Sequence, residues 1–194
     1  MDAMTPTPAA KGGPLHALIA HLRGFGKETR ASVAIETAMI LPILFWAFMA
    51  SYGFFDAYRQ RSVAEKAAFT IADMLSRETL EINNTYLDNT QELLGFLTRT
   101  TGPQLRVSVV RWDGSDQSYK IVWSEGRGGR GGLPEGPISD WDNRLPVMPD
   151  TDRLIVVETG VHFKPVFKIG IDEHDMESFV FSRPRFAPQL KWES

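Results

Sequence analysis

SVAIETAMILPILFWAFMASYGFF, Ser32 to Phe55, is apolar for the length of a bilayer crossing and carries one charged residue, Glu36. As a helix, Val33 to Phe55 extends roughly 35 Å at about 1.5 Å per residue, against a hydrocarbon layer of about 30 Å. The segment therefore spans with modest tilt. A cleaved secretory signal has a shorter apolar run near the chain start and a small-x-small cutting site, whereas this run begins at Ser32 and ends on large aromatics. It reads as an anchor that stays. Pro42 has no N–H and leaves the carbonyl of Ala38 without its helical donor, which predicts a kink.

Glu36 is the oddity of the stretch, because a carboxylate at the centre of a spanning helix costs about 2.5 to 3.5 kcal/mol on insertion scales. It stands about one helical turn inside the boundary, within snorkelling reach of the headgroups and near the positive end of the helix dipole. A more specific partner arises if the chain is cut between Ala31 and Ser32. The new α-amino group would then lie one turn from the carboxylate, on the same helix or on a neighbour. The residues alone leave both arrangements open.

A basic leader, a small residue before the scissile bond and a glutamate at the fifth position of an apolar helix resemble a prepilin. The phrase Arg30, Ala31, Ser32, Val33, Ala34, Ile35, Glu36, with Pro42 following, is closer still to the TadE-like family of tight-adherence pilus assembly proteins. Ala31 stands where prepilins favour glycine, and Thr37 where pseudopilins of this system often carry an aromatic. The resemblance covers roughly residues 23 to 60. It implies a minor pilin or pseudopilin, anchored in the bacterial inner membrane and packed against the major pilin and the assembly platform, with prepilin peptidase as the enzyme that would cut after Ala31. Glu36 would be the assembly residue, matched first to its own amino terminus and then to that of a neighbour.

The 194 residues carry a formal charge of −3 and no cysteine. Disulfides, thiol nucleophiles and cysteine metal sites are therefore excluded, and no basic excess points to nucleic acid. The predicted organisation is a basic leader over 1–31, a transmembrane helix over 32–56 and one α+β domain over 57–194, with a long N-terminal helix and a small antiparallel sheet in a pilin-like arrangement. Lys11, Arg23, Lys27 and Arg30 precede the span, and Arg59, Arg61 and Lys66 follow it. The positive-inside rule leans toward a cytoplasmic N-terminus and a periplasmic domain.

Residues 1–14, rich in glycine and proline, predict disorder, and Leu15 to Leu22 a short amphipathic segment. The spanning helix is expected to continue through Asp56 to Ser76, with Val63, Ala67, Thr70, Ile71, Met74 and Leu75 on its apolar face. A second helix follows capping residues Asn83 and Asn84, runs over Thr85 to Thr98 and stops at Gly102–Pro103. Leu105, Val107 and Val109 alternate with polar residues, Asp113–Gly114 marks a turn, and Tyr119, Ile121 and Trp123 alternate again, so this pair reads as a hairpin. Ser124 to Pro149 predicts a long mobile loop that Trp141 pins to the surface. Strands are expected over Arg153 to Glu158, around Val161 to Ile169 with Pro165 at an edge or bulge, and over Ser178 to Phe181. Arg183 to Trp192 predicts an extended tail.

Other chemistry is thinly represented. His162 and His174 with Asp172, Glu173 and Asp175 form the best ligand cluster, yet a polar strand face and a turn explain them, and no metal is assigned. Asp140, Asp142, Asp150 and Asp152 lack the spacing of a calcium-binding hand. The Arg127–Gly132 box, RGGRGG, has no phosphate-cradle context and reads as solvated loop rather than a nucleic-acid site. No nucleophile elbow or paired base is present, so no catalytic residue and no cofactor are assigned. The alternative function is a single-span sensor or ligand-binding module, for which the helix would be an exchangeable anchor.

Overall fold

A computed structural model describes residues 29–167 and 170–193. The leader up to residue 28, including the expected amphipathic segment and the basic residues Lys11, Arg23 and Lys27, lies outside the described residues. The chain divides into two compact units, Met1–Ser51 and Tyr52–Ser194. The boundary falls inside helix α1, Thr29–Ser76, which is helical on both sides of Pro42.

In the second unit α1 is followed by helix α2 (Asn84–Thr98) and strands β1 (Gln104–Asp113), β2 (Ser118–Arg127), β3 (Gly136–Ile138), β4 (Arg153–Phe163) and β5 (His174–Ser182). The strands form one antiparallel sheet in the order β3-β2-β1-β4-β5. The predicted α+β class, a long apolar helix and a small antiparallel sheet, is the one observed.

The helical face that meets the core is rotated from the expected one. Ala64, Ala67, Ala68, Ile71, Ala72 and Leu75 are buried, whereas Thr70 is exposed and Met74 only partly covered. Four alanines let the helix backbone approach its neighbours closely, so the seam follows small residues more than large ones. Thr70 instead returns its hydroxyl to the carbonyl of Lys66 (2.8 Å). At the helix end the N–H of Arg185 donates to the carbonyl of Ser76 (2.8 Å), satisfying an acceptor that no helical donor reaches.

Helix α2 starts as expected, with the Asn83 side chain accepting from the N–H of Tyr86 (3.1 Å). It ends at Thr98, as expected, but the stop is set by Arg99 and not by Gly102–Pro103. Arg99 takes the left-handed conformation (φ 55°), and the N–H of Thr100 closes on the carbonyl of Gly95 (3.0 Å).

The hairpin contains a bulge that strict alternation misses. Val109 faces Trp123, but Val110 faces Ile121, so Val122 is the extra residue. As a result Trp123 joins the helix-covered core with Leu105, Val107, Val109, Ile155, Val157 and Val180. Tyr119 and Ile121 join the opposite core with Val110, Leu154 and Val156.

That second core corrects the reading of Ser124 to Pro149 as a mobile loop. The segment extends β2, supplies β3, and buries Trp141, Leu145 and Met148 on the sheet. The Trp141 ring meets Phe179 edge-on at 5.3 Å, and the Arg144 guanidinium lies 3.7 Å above the same ring. Trp141 thus does anchor the segment. The two strands expected on either side of Gly160 are one strand, β4, and Pro165 lies past its end, where a missing N–H costs no ladder bond. The closing segment is docked as well as extended. Leu190 is buried, its carbonyl accepts from the Trp123 indole (2.9 Å), and Trp192 bridges to Ile82.

Two glycines, Gly126 just before the RGGRGG box and Gly128 within it, are fixed by close backbone approach. A Cβ at Gly126 would collide with the carbonyl of Arg130, and one at Gly128 (φ 70°) with that of Pro103. Both obstacles are backbone. Gly126→Ala is therefore expected to destabilise the domain by about 1 to 3 kcal/mol, read as a lowered urea midpoint, with Gly129→Ala, where no atom stands in the way, a milder control apart from its positive φ.

Candidate functional site

The candidate surface begins with the first part of α1. From Val33 to Phe48 every residue is exposed, including Met39, Ile43, Leu44, Phe45, Trp46 and Phe48, and the most apolar window of the helix has none of its surface covered by the rest of the chain. Among the described residues one helix is long and apolar enough to cross a membrane, by length and composition. A helix apolar on every side needs cover all round, and among the described residues none supplies it.

Polar groups inside this stretch are self-contained. The hydroxyl of Thr37 donates to the carbonyl of Val33 (2.8 Å), and that of Ser51 to the carbonyl of Ala47 (2.9 Å). Such back-bonding removes the cost of placing a hydroxyl in hydrocarbon. Glu36 differs from them. It is exposed, and of the residues three or four away on the helix Val33, Met39 and Ile40 are apolar. Ala31 and Ser32 lie within α1, and Pro42 stands inside it.

The remaining sequence candidates resolve into structural contacts. His162 Nδ1 lies 2.8 Å from Asp175 Oδ1, its cross-strand partner, with Glu173 at 3.9 Å from Nε2. His174 turns instead to the carbonyl of Asp172 (2.9 Å) and packs its ring 5.4 Å from Phe163, so the two imidazoles do not share a site. Among the described residues no three His, Asp or Glu side chains converge in a metal-holding geometry. Asp150 Oδ1 accepts from the N–H of Gly114 (2.8 Å) and so ties the segment before β4 to the hairpin turn, while Asp152 pairs with Arg183 (3.2 Å).

Both arginines of the glycine-rich box are engaged within the chain, which corrects their reading as solvated. Arg127 reaches Asp88 and the Asn84 side chain, each at 2.5 Å, and Arg130 reaches Glu177 at 2.5 Å. Their side chains are mostly covered.

In the hairpin turn, Lys120 bridges Asp113 (2.7 Å) and Asp116. The ammonium, then the Ser115 hydroxyl, hold the Asp113 carboxyl well below the usual carboxylate range, and the two acids push Lys120 up. Burial, then the carboxylate of Glu78 that accepts its hydroxyl (2.9 Å), push the Tyr86 phenol up. These groups stiffen the domain and leave no poised acid or base in a cleft.

A groove that the sequence did not reveal lies in the second unit, with a volume of about 770 Å³. It is formed where α1 just beyond Phe55, the end of α2 and the end of β4 meet. Arg59, Arg99, Lys164 and His162 line it, together with Thr100 and Thr101. The residues come from three elements far apart in sequence.

Comparison with protein-family models, with curated proteins and with solved structures returns no match to this chain.

Proposed function

We propose that this chain is a membrane-anchored structural component, of the kind the TadE-like resemblance implies, whose apolar helix serves as both anchor and assembly surface. The observation that carries the reading is the uncovered helix from Val33 to Phe48 with its single acid. An inert anchor has no use for a charged residue one turn inside its apolar run, whereas a helix that packs against other subunits gains a specific contact from it. On this reading the leader is cytoplasmic and the α+β domain periplasmic. The protein enters or seeds a Tad-type pilus in the inner membrane, touching the major pilin and the assembly platform, with the bond between Ala31 and Ser32 as the prepilin peptidase site. It is a non-enzymatic role, without cofactor, metal or nucleic acid.

The rival, a single-span sensor or binding module, makes the opposite demand on the helix. Exchanging Val33 to Phe55 for an unrelated polyleucine-based anchor is expected to preserve membrane insertion and the folded domain but to abolish pilus formation, scored by surface filaments and adhesion. Retained function would favour the sensor reading. The N-terminus of the protein isolated from native membranes, measured by mass spectrometry, is expected at Ser32 for a processed subunit and at the start of the leader for an unprocessed assembly factor.

A further inference from the structure

We infer that the groove of the second unit is a seat for the phosphate headgroup of an anionic phospholipid, a proposal that rests on the membrane-anchor reading above. Three permanent cations, Arg59, Arg99 and Lys164, line it against one carboxylate, Asp56, which is already held by the Gln60 amide (2.9 Å). Glu173 lies 3.8 Å from Lys164 Nζ and partly offsets that cation, and Asp175 pairs with His162, so the uncompensated positive charge of the groove rests on Arg59 and Arg99. Arg59 and Arg99 are exposed. Phosphate oxygens match this arrangement, because guanidinium groups present planar forks of donors.

Depth selects the lipid as the source of that phosphate. Arg59 comes four residues after Phe55, the last residue of the apolar run, so it lies about 6 Å further along the helix, the thickness of a headgroup layer. Residues at the start of the same unit fit an interface as well. Tyr52, Phe55 and Tyr58 are exposed on α1, and Val166 and Phe167, from the segment after β4, are exposed beside them, with the Phe167 ring 6.3 Å from that of Tyr52. Tyrosine at the headgroup level and basic side chains just beyond are the usual composition of a membrane–water boundary. The groove therefore lies where a lipid phosphate would be.

The test is amide hydrogen exchange on the full chain in nanodiscs of phosphatidylcholine, with or without a third of the lipid as phosphatidylglycerol. Exposed ion pairs of this kind are worth up to about 1 kcal/mol in all, so exchange over Thr98 to Thr101 and at Lys164 is expected to slow by about fivefold when the anionic lipid is present. The triple substitution Arg59→Gln, Arg99→Gln, Lys164→Gln should erase that difference while leaving exchange in β1 and β4 unchanged. Equal exchange in the two lipids, in a chain that has inserted, overturns the headgroup seat and leaves the anchor untouched. The same protection from inorganic phosphate added to neutral discs also overturns it, because the groove would then be a site for free phosphate. A chain that stays in the aqueous phase refutes the anchor and the proposal together.

Discussion

Glu36→Leu is expected to leave the chain in the membrane fraction after alkaline extraction and to abolish pilus-dependent adhesion. The first half follows from transfer energetics. Replacing a carboxylate one turn inside the apolar run with an apolar side chain removes a desolvation cost and makes insertion no harder. The second half follows from the surroundings of the residue. Val33, Met39 and Ile40 offer the carboxylate nothing on its own helix, while Thr37 and Ser51 satisfy themselves on backbone carbonyls. On the assembly reading the compensation comes from an amine or from another subunit, and leucine can meet neither. Glu36→Gln sharpens the test. Glutamine keeps two acceptor sites without the charge, so a requirement for an ion pair predicts the same loss, and a requirement for a hydrogen bond predicts partial function. Normal filaments on cells carrying the leucine variant would sink the assembly role of this residue.

Local signals were legible, and distant pairings were not. The apolar run, the Asn83 cap and the hairpin turn at Asp113–Gly114 are written within a few residues of where they act, and the structure places each of them as expected. The bulge at Val122 was invisible, since Tyr119, Ile121 and Trp123 keep a perfect period of two in sequence while falling on opposite faces of the sheet. The glycine-rich segment misled in a different way. Its composition suggested freedom, but Gly126 and Gly128 are there because backbone from Arg130 and Pro103 leaves no room for a Cβ. The cationic groove combines residues from three elements, and nothing in the stretch around Arg59, Arg99 or Lys164 taken alone announces the others.

The largest stability effect is expected where one such pairing is buried. Arg106 on β1 and Glu158 on β4 face each other across the sheet, Nε to Oε2 at 2.5 Å, with Glu158 only 7 % exposed. They are 52 positions apart, and in sequence Arg106 looks like the outward polar member of an alternating strand. The Gly131 carbonyl, brought over the sheet by the glycine-rich segment, lies 3.5 Å from the guanidinium and closes the site on that side. Removing one charge from such a pair leaves the other without compensation in a low-dielectric setting, at a cost of about 3 to 5 kcal/mol. For a domain of this size that lowers the melting midpoint by roughly 10 to 20 °C, measurable by circular dichroism of the full chain in detergent. Arg106→Leu and Glu158→Leu should each show it. The double variant decides the interpretation, because two apolar side chains of similar volume carry no desolvation debt and should recover most of the loss. If the double variant instead loses the sum of the two single effects, the residues act independently, and the contact between β1 and β4 owes its stability to the apolar ladder of Val107, Val109, Ile155 and Val157 alone.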